Sequence, residues 1–235
     1  MILRQLFDHE TYTYTYLIAA KANGLCALID PVLGQVDAYL RLLNELNLKL
    51  VMALDTHVHA DHITALGSLR ELTNCKTYVG LENEVACSDY PLKDGVALSF
   101  GNLALEVIYT PGHTDNSFCY YMQHKEQGYI FTGDTLLIRG TGRTDFQNGD
   151  STQLYHSLHE KLLKLPGDTI VYPGHDYKGW TQSTIMEEKA HNPRLQLHPV
   201  AQFVDHMANL NLANPKFMDV AVPANLACGV IKDKS

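Results

Sequence analysis

The chain has 235 residues, long for a single domain but within reach of two packed sheets or a mixed α/β layer structure. A hydrophobic content of 46% can fill a sizeable core, while a formal charge of -8 and a pI near 5.8 argue against nucleic acid as a partner, since no basic cluster is present to displace counterions. No apolar run approaches the roughly 20 residues that span a bilayer, and the segment from Met1 to Glu10 has neither a signal-peptide core nor an Arg- and Ser-rich transit character. A cytoplasmic protein with no membrane contact, acting on small molecules, is expected.

In chain order, the segment from Tyr12 to Ile18 alternates at the strand period, and Asn23-Gly24 turns it into a second strand from Leu25 to Asp30. Val36, Tyr39, Leu40, Leu43 and Leu46 recur at helical spacing, and 48–54 then reads as a buried strand. That strand delivers Thr56-His57-Val58-His59-Ala60-Asp61-His62, three imidazoles and a carboxylate in seven residues. Neutral imidazole and carboxylate both bind borderline divalent metals, and alternate residues leaving a strand can aim at one point. The spacing of Ile63, Leu66, Leu69 and Leu72 predicts a helix over 61–72, in which Asp61 could serve simply as N-cap.

Three later segments repeat the arrangement of apolar strand, short turn and candidate ligand: 103–109 leads to His113, 129–131 to Asp134, and 169–172 to His175. Four strand ends therefore offer donors to one site on a sheet rim. Ser117 to Met122 and Gly128 to Phe131 read as a hairpin, and Asp150 caps a helix with Leu154, Leu158, Leu162 and Leu165 as its stripe. Two helices, 183–191 and 199–210, follow without a flexible linker. The cysteines Cys26, Cys75, Cys87, Cys119 and Cys228 are odd in number, lack a C-x-x-C pairing and read as reduced structural thiols. His156, His159, His191 and His206 read as surface or satisfied core residues.

The H-x-H-x-D-H pattern, followed by separate His, Asp and His, resembles the metallo-β-lactamase superfamily over at least 12–194. The resemblance implies an α/β fold, the αββα sandwich, as one domain over 1–235 with a short helical extension from about 181. The stretch 131–147, Tyr172 to Tyr177, Asn192 to Leu195 and Ala221 to Asn225 look like the persulfide dioxygenases within that superfamily. Thr141 departs from this pattern, standing where mitochondrial relatives often carry Cys.

That resemblance implies one Fe(II) per chain held by His57, His113 and Asp134, a facial triad with open positions for substrate and O2. His59, Asp61, His62 and His175 would orient ligands or water, and Asp176 and Thr114 would steady the site. Arg143, Tyr177 and Arg194 would contact glutathione persulfide, Arg being suited to carboxylates by its planar fork. The activity implied is oxidation of glutathione persulfide with O2 and water to sulfite and glutathione, and a homodimer is compatible with the family. The seven donors could also hold two metals bridged by Asp134, so a glyoxalase II-like hydroxyacylglutathione hydrolase is the alternative. Against it stand the Arg143-Thr144-Asp145-Phe146 segment and the mere 60 or so residues after His175. A non-enzymatic metal or sulfide sensor lacks an output segment.

Overall fold

The computed structural model describes residues 1–80, 88–89, 92–213 and 217–229. A first mixed sheet has the order β1 (Ile2–Asp8), β2 (Thr13–Ala19), β3 (Leu25–Ile29), β4 (Lys49–Leu54), β5 (Lys76–Tyr78). Its first two pairings are antiparallel and the last two parallel. β2 reads as half polar, yet all seven of its residues are buried. The Thr15 hydroxyl makes this tolerable, donating to the Asp30 carbonyl at 2.7 Å and lying 2.9 Å from the Tyr39 hydroxyl.

The second mixed sheet has the order β11 (Ser183–Thr184), β10 (Ile170–Pro173), β9 (Gln127–Gly133), β8 (Phe118–His124), β7 (Leu103–Tyr109), β6 (Ala97–Phe100). β9 and β10 run parallel, so both deliver their C-terminal turns to the same rim. The helices are α1 (Val36–Glu45), α2 (Leu66–Thr73), α3 (Ser151–His156), α4 (Ile185–His191), α5 (Val200–Ala208) and α6 (Met218–Leu226). α3 is capped as expected, Asp150 accepting from the Gln153 amide at 2.8 Å. It continues through a π-helical segment to Lys161 and a 3₁₀ turn to Lys164, keeping Leu154, Leu158 and Leu162 fully buried.

The chain forms two compact units: Met1–Leu92, Leu98–Ala104 and Asn214–Ser235 make the first, Lys93–Ala97 and Leu105–Ala213 the second. The first is filled by Leu17, Leu28, Leu66, Leu69 and neighbours, the second by Ile130, Leu154, Val171, Phe203 and neighbours. Each such side chain contributes about 1.5–3 kcal/mol when fully buried.

Two expectations need correction. The helix expected over 61–72 begins only at Leu66, so Asp61 is no N-cap. The backbone before it is used otherwise: Ile63 accepts from the Leu33 amide at 2.8 Å, the Ala65 amide donates to Pro31 at 2.7 Å, and Thr64 bridges Val32. Those pairings remove the groups a first helical turn would need. The cysteines are not all reduced either: Cys26, Cys75 and Cys119 are free thiols, but Cys228 is disulfide-bonded. Cys87 lies outside the described residues. β1 carries no strand signal that the sequence reading used, and it owes its place to pairing along the whole of β2.

Candidate metal centre

In the first unit, His57, His59, Asp61 and His62 leave β4 on irregular backbone, with ring centroids 4.2 Å apart for both His57–His59 and His59–His62. One ligand atom from each of His59, Asp61 and His62 lies within 4.8 Å of the others. Asp30, at the end of β3, organises this segment and was not singled out from the sequence. Its carboxylate accepts from the Thr56 amide at 2.6 Å, the Thr56 hydroxyl at 3.0 Å and His59 Nε2 at 3.1 Å. Burial pushes the Asp30 pKa up, opposed by the nearby His57 and by the Thr56 amide.

These bonds set tautomers. With the Thr56 hydroxyl donating to Asp30, its oxygen accepts from His57 Nδ1 at 3.0 Å, which leaves the His57 lone pair on Nε2. His59, donating through Nε2, keeps its lone pair on Nδ1, 3.9 Å from Asp61. His62 Nδ1 lies 3.0 Å from the other Asp61 oxygen, leaving Nε2 buried and, among the described residues, without a hydrogen-bond partner. These assignments place one basic nitrogen on each imidazole, the kind of atom that can hold a metal.

In the second unit His113 follows β7, Asp134 follows β9 and His175 follows β10. The Arg143 carbonyl can only accept, so His113 Nδ1 donates to it at 2.6 Å and Nε2 carries the lone pair. That Nε2 is 3.6 Å from one Asp134 oxygen, and His175 Nε2 is 3.7 Å from the other. Asp134 Oδ1 is buried and accepts no hydrogen bond among the described residues. A buried carboxylate oxygen without a donor is costly unless a cation faces it. Both distances are longer than a hydrogen bond and slightly beyond the roughly 3–3.5 Å that separates two ligand atoms of one ion at about 2.1 Å. The donors are imidazole and carboxylate with no thiolate, the set preferred by catalytic iron or zinc.

The remaining expected residues also belong to the second unit. Thr114 is buried, 2.7 Å from the Ser117 hydroxyl and 3.1 Å from Asn116 Oδ1, which fixes the turn after His113. Asp176 accepts from the Lys178 and Trp180 amides, both at 2.7 Å, and shapes the loop beyond His175. Tyr177 is exposed and stacks on His175 with ring centroids 6.1 Å apart. Gly142 lets the strap that carries Arg143 cross His113 and Asp134: a Cβ there would stand 2.4 Å from the Asp134 carbonyl and 2.7 Å from His113 Nδ1.

The two arginines differ. Arg143 is forked onto Asp145 at 2.6 and 2.7 Å and donates to the Ala213 carbonyl at 2.7 Å, so what it turns towards His113 is its carbonyl. Arg194 donates to the Thr141 carbonyl at 2.6 Å and its hydroxyl at 2.9 Å, and no carboxylate pairs with it among the described residues. Burial lowers its pKa. A desolvated cation without a counter-charge is a seat for an anionic group.

Residues 10–175 match the model of the metallo-beta-lactamase superfamily. The human and mouse proteins named mitochondrial persulfide dioxygenase ETHE1 are each 46% identical over 231 residues, covering 98% of this chain and 89% of theirs. The chain belongs to the persulfide dioxygenase family of that superfamily. The crystal structure of ETHE1 from Myxococcus xanthus superposes with a TM-score of 0.93 at 52% identity, covering 98% of this chain and all of that one. The α/β metallo-β-lactamase fold expected from the motifs is therefore the fold observed. A hydroxyacylglutathione hydrolase from Francisella tularensis subsp. novicida is 34% identical over 177 residues, 75% of this chain and 68% of its own. The dioxygenase family is thus matched more closely, and over more of the chain, than that hydrolase. Among the described residues, no helix is long and apolar enough to cross a membrane.

Proposed function

We propose that the chain is an oxidoreductase that converts glutathione persulfide, O2 and water to sulfite and glutathione with one Fe(II) held by His57, His113 and Asp134. The observation that carries the reading is family membership along 98% of the chain. Iron, when bound, supplies the centre at which persulfide sulfur and O2 react. The chain supplies the rest. Asp134 gives the single negative charge, so the centre keeps a net positive charge that favours an anionic persulfide. The Arg143 carbonyl and the Asp30–Thr56 pair hold His113 and His57 in the tautomers that place their lone pairs on Nε2.

In this reading His59, Asp61, His62 and His175 orient ligands or water by hydrogen bonds, and Thr114 and Asp176 hold the two turns. Arg194 receives a glutathione carboxylate, Tyr177 flanks the substrate beside His175, and Arg143 contributes once Asp145 yields its fork. The reading takes 1–235 as one domain in a cytoplasmic monomer or homodimer, although the mammalian relatives are named as mitochondrial. The test is His113→Ala, assayed for iron content, O2 uptake and sulfite together. All three signals should disappear, and retained activity would refute the ligand role.

A further inference from the structure

We infer that Asn225, on α6, is a positioning residue for the metal motif, fixing the backbone from His59 to Thr64 and with it the aim of the imidazoles that segment bears. The inference rests on the reading above only in taking the segment to support a metal centre, with His57 beside it as a ligand and His59 and His62 acting by hydrogen bonds. Asn225 Nδ2 donates to the His59 carbonyl at 2.8 Å and to the His62 carbonyl at 2.8 Å, while Oδ1 accepts from the Thr64 amide at 2.9 Å. Both side-chain N–H groups and the carbonyl oxygen are thereby used, and the residue is 3% exposed. Asp30, Thr56 and Asp61 hold the ring nitrogens of this segment, whereas Asn225 holds its main chain.

The need follows from the local fold. The segment is neither helix nor strand, so its carbonyls lack the ladder that would satisfy them, and buried backbone groups must find partners elsewhere. A primary amide is the smallest group that offers two donors and one acceptor in a plane. Aspartate has the shape without the donors; glutamine has the donors one methylene too far out. The tail is pressed against the same backbone beyond α6. The Gly67 amide donates to the Cys228 carbonyl at 3.1 Å, and Gly229, at φ 78, passes so close that a Cβ would stand 2.1 Å from the Thr64 carbonyl oxygen.

The test compares Asn225→Ala and Asn225→Asp with Val220→Ala, an exposed position on the same helix. Three quantities are read: Fe(II) affinity by anaerobic competition with a chelator, exchange of the Thr64 amide, and the imidazole nitrogen shifts of His59 and His62 in metal-free protein. Both Asn225 variants should lose about tenfold to a hundredfold in metal affinity. Asn225→Ala should also exchange the Thr64 proton at least tenfold faster, Asn225→Asp should shift both imidazoles, and Val220→Ala should change nothing. A folded Asn225 variant with unaltered affinity and imidazole shifts overturns the inference, even if its melting temperature falls. Should neither variant fold, slow exchange of the Asn225 side-chain protons in the unaltered protein is the expected result, and fast exchange overturns the inference. Because no readout uses persulfide, failure of the dioxygenase reading would leave these outcomes distinct.

Discussion

Around His57–His62 in the first unit, one ring nitrogen of each imidazole is tied to Thr56, Asp30 or Asp61 and the His59 and His62 carbonyls to Asn225, whereas Asp134 in the second unit keeps a buried oxygen with no donor among the described residues. The donors are of the same chemical kinds, and His62 Nε2 in the first unit is likewise buried without a hydrogen-bond partner among the described residues, but that atom is an imidazole nitrogen, whereas the Asp134 atom is a carboxylate oxygen that a cation would complete. Preorganisation by hydrogen bonds stabilises the fold with or without metal, while an uncompensated carboxylate stabilises only the metal-bound form.

The largest expected effect follows from that contrast. Asp134→Ala should bring iron content to background and lower sulfite formation by roughly a thousandfold or more, yet leave the metal-free protein as stable as before or more so. A fall of several degrees in its metal-free melting temperature would break the contrast. Asp30→Asn attacks the opposite half and should act on both quantities. Metal affinity drops by about tenfold to a hundredfold, and the metal-free melting temperature also falls, because an amide keeps one oxygen for the Thr56 amide and His59 but sets a donor against the Thr56 hydroxyl, which orients His57. Calorimetry alongside metal analysis reads the two together.

The arginines sharpen the comparison within one unit. Arg194→Ala should raise KM for glutathione persulfide about tenfold, with iron content and kcat close to unchanged, since a cation with no carboxylate partner among the described residues contributes by binding. An unchanged KM would remove Arg194 from the substrate site. The smallest effect is expected at Asp145, whose carboxyl is held below its ordinary range chiefly by its hydrogen bonds to Arg143, with burial opposing. A depressed carboxyl pKa contributes stability that is present above its unfolded value and lost as pH falls through the folded one. Asp145→Asn should therefore cost less than about 1 kcal/mol at neutral pH, the pair being partly exposed, and nothing in strong acid. A deficit that persisted in acid in denaturant titrations would contradict the assignment.

Much of this was legible in the chain. The heptapeptide and the three strand-turn-ligand repeats announce themselves because strand period, turn residues and donors are all local, and the four strand ends stand where they were read. Asp30 was harder to see, since Asp at a strand end before Pro31 looks like ordinary turn chemistry until Thr56 and His59 arrive from elsewhere in the sequence. The helix boundary failed for a related reason: the apolar spacing from Ile63 is genuine, but Leu33 and Pro31 claim its first backbone groups. Arg143 was legible as a residue of the site and not in its orientation, because its fork onto Asp145, two residues away, competes with any substrate.

The decisive measurement uses protein loaded anaerobically with iron and then given glutathione persulfide and O2. One iron per chain and one O2 consumed for each sulfite formed are expected. Two zinc ions per chain with cleavage of an acylglutathione thioester, and no O2 uptake, would contradict it.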